Sequence, residues 1–247
     1  MERIPNEKEN IFTNNQTEVL KERTRELVER VIKYDYQCLV FLDNSARPLS
    51  WMFQEAWKRY VPDKKLPAIR FVNIGREKGP VTNWNSMGPY KWDYETEEEY
   101  EKAISDYWQK LDSKEYVEKF KNSLDEIFST SKNRSILLVD DYIGSGFSIE
   151  LAKAFFGHYF PNIDIEVHNF LKQNDSRIFP KEKWNGTYLP WNEDSSYALL
   201  KEDAEHPERV VSQPEREPAE REKGLELKEE IKDIFINEKP IRLDNSR

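Results

Sequence analysis

The pattern of hydrophobic and polar positions along the chain predicts helices that alternate with short buried strands. In residues 17–34, apolar side chains recur at helical spacing among Lys, Glu and Arg, which indicates an amphipathic helix. Uninterrupted apolar runs are typical of strands that are covered on both faces, as in a parallel sheet. Such runs occupy residues 38–42 and 136–139. Further strands are predicted at 68–74, where Arg70 is the one charged residue, and at 163–170.

Three further segments have helical periodicity. They are an aromatic-rich helix at 50–60, a strongly charged region with two apolar stripes at 95–128, and a closing amphipathic helix at 221–235. The acids Glu97, Glu98 and Glu99 suit a solvated helix start, where they complement the helix dipole. Residues 1–15 are predicted as a polar leader. The alternation of strands and helices predicts an α/β fold with a mostly parallel sheet.

The stretch at residues 136–148 combines a buried strand, two acids and a Gly/Ser turn, and a helix is predicted to start after it, near Ile149. In a parallel sheet, the carboxyl end of such a strand opens onto the crevice where ligands bind. Asp140 and Asp141 are expected at that opening. Carboxylates beside an anion site favour sugar hydroxyls or a divalent cation as partners.

The turn after the acids has the composition of a phosphate cradle. Gly144 and Gly146 allow backbone amides to turn inward around an anion, and Ser145 and Ser148 add hydroxyl donors. The helix that follows points its positive end at the same place. Together with the acids, this turn predicts a site for a ribose 5-phosphate with a metal. A buried strand ending in a Gly-containing turn is the simpler alternative.

This stretch resembles the phosphoribosyl-pyrophosphate (PRPP) binding motif of type I phosphoribosyltransferases. The resemblance implies that Asp140 and Asp141 hold the ribose hydroxyls and influence a bound Mg²⁺, directly or through water. It also implies a twisted, mostly parallel sheet flanked by helices, with a C-terminal hood and a helical insertion. The PRPP-binding stretch would comprise the two acids together with Tyr142, Ile143, Gly144, Ser145, Gly146, Phe147 and Ser148.

A second loop is similar to the one that grips pyrophosphate in this family. Ser45, Ala46 and Arg47 follow the strand at 38–42, and the resemblance gives Arg47 a catalytic role in holding the leaving pyrophosphate. Pro48 departs from the family pattern, because glycine is usual there and proline offers no amide to an anion. A surface arginine bridging to nearby acids is the alternative interpretation of Arg47.

The final third resembles the base-binding end of xanthine-guanine type members. Lys172 matches the lysine that meets a 6-oxopurine, and either Trp184 or Tyr188 could stack on the base. An aromatic satellite core is an equal alternative. Gly144 replaces an aspartate that purine-type members commonly use for proton handling, so the acceptor base stays open.

The resemblance divides the chain into a phosphoribosyltransferase core at 1–180 and a C-terminal hood and extension at 181–247. Within the core, residues of about 76–130 form a lid and helical insertion. The loop at 75–93 matches the family's lid, which closes over PRPP and excludes water. Its candidates for contact with pyrophosphate are Arg76, Lys78 and Lys91.

Composition limits the partners and the compartment. The formal net charge is -9, which disfavours general nucleic-acid binding. The single cysteine, Cys38, rules out an internal disulfide, and there is no apolar signal core or membrane-length run. The chain is therefore predicted to be cytoplasmic, without membrane contact. The helical insertion could provide a homodimer surface.

Three functions follow as hypotheses. The first is a Mg²⁺-dependent enzyme that transfers phosphoribosyl from PRPP to a nitrogenous base and releases pyrophosphate. The second is a non-catalytic PRPP- or nucleotide-sensing regulator with the same cradle, which Pro48 and Gly144 favour. The third is an interaction protein built on the long charged helices, which would have no affinity for PRPP.

Overall fold

A computed structural model of the chain describes residues 10–42, 46–72, 94–110, 114–129, 134–142, 147–171 and 218–241. Within these ranges it contains six helices and four strands. The helices are α1 (Asn14–Tyr34), α2 (Arg47–Tyr60), α3 (Glu97–Lys110), α4 (Lys114–Phe128), α5 (Phe147–Tyr159) and α6 (Pro218–Phe235). The strands are β1 (Cys38–Leu42), β2 (Ala68–Val72), β3 (Ser135–Tyr142) and β4 (Asp164–Leu171).

The four strands form one sheet in the order β2-β1-β3-β4, and every neighbouring pair is parallel. This confirms the predicted α/β class with a parallel sheet between helices. The chain moves from β1 outward to β2, and then crosses back to place β3 on the other side of β1. The direction of winding therefore reverses between β1 and β3, which is where sheets of this kind bind ligands.

The side chains of the central strands alternate between two cores, one on each face of the sheet. Leu39, Phe41, Leu137 and Val139 join the core formed with α1, α2 and α6. The intervening residues join a second core with α3, α4 and α5. Burial on both faces explains why these strands are continuous apolar runs in the sequence.

The N-terminal helix begins earlier than its periodicity predicts, and the predicted leader is correspondingly shorter. Thr13 caps α1, and its side chain and that of Gln16 form a reciprocal capping box. Phe12 is buried in the core. The backbone N–H groups of Ile11 and Phe12 donate to the two carboxylate oxygens of Glu230 on α6, at 2.8 Å and 2.7 Å. This part of the leader is thus fixed to the fold.

Helix α2 begins at Arg47, three residues before the predicted start at residue 50. Pro48 lies in its first turn, where the missing N–H costs no intrahelical hydrogen bond and the fixed φ suits a helix. The sequence argument treated this proline as part of a loop, and its preference for the first turn was the overlooked signal.

The charged region predicted at 95–128 contains the helices α3 and α4. The three acids at the start of α3 are exposed in its first turn, as predicted. Polar side chains connect α4 to the sheet and α3 to helix α5. Arg70 Nε of β2 donates to Ser123 Oγ of α4, and the Tyr100 hydroxyl of α3 donates to Glu150 Oε2 of α5 at 3.3 Å.

The closing helix α6 packs on α1 and α2 and contributes to the core on that face. Its buried residues include Leu227, Ile231, Ile234 and Phe235. The proposed hood at 181–247 overlaps the described chain only from residue 218, so the division into core and hood stays a prediction. None of the helices in the described ranges is long and apolar enough to cross a membrane.

Candidate functional site

The two acids of the central motif lie at the carboxyl end of β3, next to the reversal of winding. Both are buried, with 6% of Asp140 and 4% of Asp141 exposed. Side chains alternate along a strand, so Asp140 follows Ile136 and Leu138 toward the α5 face, and Asp141 follows Leu137 and Val139 toward the α2 face. The two carboxyl groups are nevertheless close enough to interact, because, besides burial, a side-chain hydrogen bond with Asp141 contributes to the raised pKa of Asp140.

The environment of Asp140 disfavours its charged form. Burial, followed by the neighbouring charge of Asp141, raises the pKa of Asp140 to about 8. The Asp141 backbone N–H donates to Asp140 Oδ1 at 3.0 Å, which opposes this shift only in part. Among the described residues, Asp140 forms no ion pair. The surroundings thus favour the neutral form of this carboxyl group, which can donate a hydrogen bond as well as accept one.

Helix α5 begins shortly after β3, so its N-terminus lies at the same edge of the sheet as the acids. The backbone of Tyr142 ends the strand and that of Phe147 begins the helix, two residues before the predicted start near Ile149. Ser148 is exposed in the first turn. The connecting residues Ile143, Gly144, Ser145 and Gly146 lie outside the described residues. The order strand, acids and helix N-terminus agrees with the predicted arrangement.

Arg47 begins α2, shortly after the end of β1. Strand β1 lies next to β3, so Arg47 and the two acids follow the two strands between which the winding reverses. The side chain of Arg47 is only 1% exposed, and its guanidinium carbon lies 5.1 Å from the centroid of the Phe71 ring. Arg47 is therefore not a surface residue, and that part of the alternative interpretation is wrong. Ala46 is buried at the helix cap, and Ser45 is outside the described residues.

The structure adds a polar residue that the sequence argument did not consider. Asn169 of β4 is the register partner of Asp140. Its side-chain oxygen is buried and accepts no hydrogen bond within the described part of the chain. The sequence carried one indication of this residue: Asn169 is polar, although it stands next to Phe170 and Leu171 at the apolar carboxyl end of β4.

A magnesium ion fits the donor set at this edge. In the described ranges there is no group of three or more His, Cys, Asp or Glu residues that could hold a metal by themselves. Mg²⁺ commonly binds one or two carboxylates and completes its shell with water and substrate phosphates. Asp140 and Asp141 can supply that carboxylate part.

The predicted base site lies outside the described residues. Lys172, Trp184 and Tyr188 all fall there, as do the lid candidates Arg76, Lys78 and Lys91. Lys172 directly follows the last residue of β4, Leu171. Leu171 ends β4 at the same edge of the sheet as the acids, and the role of Lys172 stays a prediction.

Comparisons with family models, with curated proteins and with solved structures find no match for this chain.

Proposed function

We propose that this protein binds PRPP with Mg²⁺ and transfers its phosphoribosyl group to a nitrogenous base, with a fold like that of type I phosphoribosyltransferases. One observation carries the proposal: a pair of buried acids ends the central strand β3 at the reversal of winding, directly ahead of the N-terminus of α5. Burying two carboxyl groups side by side is costly, and burial of Asp140 already shifts its pKa strongly. Such an arrangement is expected where the acids have ligands to bind.

The proposed reaction breaks the bond between ribose C1 and the pyrophosphate oxygen and forms a bond from C1 to a base nitrogen. Pyrophosphate leaves with the electron pair, and the base nitrogen loses its proton. Asp140 and Asp141 hold the ribose hydroxyls, and the N-terminus of α5 with Ser148 binds the 5-phosphate. Magnesium, when bound, supplies positive charge that stabilises the leaving pyrophosphate. Positioning of the sugar is the main contribution of the chain's own residues.

Pyrophosphate release in the presence of PRPP, Mg²⁺ and a panel of purines and pyrimidines tests this function. We expect release that depends on one class of base, and a loss of at least a hundredfold in the Asp140→Asn/Asp141→Asn variant. The matched control is Asp63→Asn/Asp233→Asn, which also replaces two aspartates but at exposed positions. Equal rates in the double variant and the control would contradict the proposed role of the acids.

The burial of Arg47 favours a second candidate, a PRPP- or nucleotide-sensing regulator. A pyrophosphate group needs an accessible cation, whereas this guanidinium is packed against Phe71 with 1% of the residue exposed. A regulator would bind the ribose phosphate and release no pyrophosphate with any base. Ligand binding by calorimetry, together with an absence of release across the panel, would identify this second function.

A further inference from the structure

The carboxyl end of β4 brings a second polar side chain beside Asp140. The register pairs Asp140 of β3 with Asn169 of β4, so the two side chains emerge on the same face of the sheet. Neighbouring strands are about 4.8 Å apart, which places the two residues within reach of a single small group of a ligand. Below them, Leu138 and Val167 pair in the same register and are apolar. The polar pair Asp140 and Asn169 thus lies next to an apolar pair, at the carboxyl end of the strands.

The carboxamide of Asn169 carries an unused acceptor. Its Oδ1 atom is shielded from solvent and receives no hydrogen bond from any described residue, Asp140 included. An amide oxygen that is buried without a partner destabilises a protein. We therefore expect a bound ligand to supply the hydrogen-bond donor for this oxygen.

A sugar hydroxyl is the donor that best suits this position. A hydroxyl has one hydrogen to donate and two lone pairs to accept with, so it can donate to the Asn169 oxygen and still take part in other hydrogen bonds of the site. An anionic ligand oxygen has no hydrogen to donate and would leave the Asn169 oxygen without a partner. Asp140 and Asn169 are therefore suited to the hydroxyl groups of a ribose phosphate and not to its phosphate group.

We infer that Asn169 is a further sugar-binding residue of this site, whose side-chain oxygen accepts a hydrogen bond from a ribose hydroxyl held beside Asp140. This inference rests on the proposed function, because it assumes that a ribose phosphate occupies the edge of β3. It assigns to β4 a part of the sugar selectivity that the sequence argument gave to the two acids alone.

Calorimetric titration with ribose 5-phosphate and with its 2-deoxy and 3-deoxy analogues tests the inference. The variants are Asn169→Ser and Asn169→Leu, and the matched control is Asn162→Ser, an exposed asparagine in the turn before the opposite end of β4. Thermal unfolding of each variant verifies that it is folded. We expect Asn169→Ser to bind ribose 5-phosphate about tenfold more weakly than the wild-type protein does. We also expect its affinities for ribose 5-phosphate and for one of the two deoxy analogues to differ by no more than about twofold, whereas the wild-type protein prefers ribose 5-phosphate.

The outcomes separate the two proposals. Weaker binding with a lost preference, and an unchanged Asn162→Ser control, would support the role of Asn169. An unchanged preference would overturn it, whether affinity is retained or falls equally for all three ligands, because an equal fall indicates a structural role. Absence of binding by the wild-type protein would instead overturn the proposed function, and this inference with it.

Discussion

At the scale of single residues, Asp140 combines a stability cost with a proposed ligand role. Its ordinary pKa is near 3.8, and burial beside Asp141 raises it to about 8 in the folded protein. The folded state therefore binds a proton that the unfolded state releases between these values. The contribution of Asp140 to stability is complete below about pH 4 and is lost as the pH rises through about 8.

We expect Asp140→Asn to stabilise the protein at alkaline pH. The amide keeps the shape of the carboxyl group but carries no charge to desolvate, so the free energy of unfolding should rise by on the order of 2 kcal/mol at pH 8.5. At pH 4.5 the gain should be small, because wild-type Asp140 is protonated there. Urea unfolding at the two pH values measures the difference. A gain that is equal at both would show that the Asp140 charge is not the cause.

Arg47 and Asp141 are two buried ionisable residues that we expect to interact. Alternation places Asp141 on the α2 face of β3, and Arg47 begins α2 and packs on Phe71 of the same core. A guanidinium and a carboxyl group, both buried on one side of the same sheet edge, should stabilise each other. Without that interaction each would be expensive to bury.

A double-mutant cycle with Arg47→Met and Asp141→Asn measures this interaction. We expect a coupling energy of about 1–3 kcal/mol, because each single substitution leaves the other group buried without its counterpart. Thermal or urea unfolding of the four proteins gives the value. Additive effects would mean that the two residues act independently, which would contradict this prediction.

At the scale of elements, the helices at the two ends of the described chain are fixed to one another. Glu230 of α6 accepts hydrogen bonds from the backbone N–H groups of Ile11 and Phe12, which lead into α1. Charge-assisted hydrogen bonds are the stronger kind. They explain why a segment that reads as a polar leader has the buried Phe12 at its end.

Glu230→Ala should destabilise the protein by roughly 1–3 kcal/mol, because two backbone donors lose their acceptor. Glu229→Ala is the matched control, since Glu229 is exposed and pairs with Lys232 on the same helix, where an effect below about 0.5 kcal/mol is expected. Thermal unfolding and limited proteolysis near residue 12 compare the two. If both variants unfold alike, the contact between α6 and the N-terminal segment does not contribute to the free energy of unfolding.

The sequence predicted the elements well where periodicity and burial agree. Continuous apolar runs identified β1 and the first part of β3, because a strand buried on both faces needs no polar positions. The outer strands β2 and β4 are only partly buried and contain polar residues, yet they too lie where strands were predicted. Helix starts were less predictable. Thr13 as a cap and Pro48 in a first turn act through local backbone hydrogen bonding, which hydrophobic periodicity does not register.

At the scale of the whole molecule, strand order determines the candidate site. The sequence placed Asp140 and Asp141 at a strand end, but only the order β2-β1-β3-β4 shows that this end borders the reversal of winding. The pairing of Asp140 with Asn169 depends on register between strands, for which a single sequence carries no direct signal. The burial of Arg47 likewise depends on how α2 packs over β2.

The central claim is that the acids at the end of β3 form a site for a ribose phosphate. Calorimetric titration of PRPP with Mg²⁺ tests it most directly, because heat of binding is detected whether or not the ligand is turned over. The claim predicts saturable binding by the wild-type protein and by Asp63→Asn/Asp233→Asn, and at least tenfold weaker binding by Asp140→Asn/Asp141→Asn. No binding by the wild-type protein, or equal binding by all three proteins, would contradict the claim.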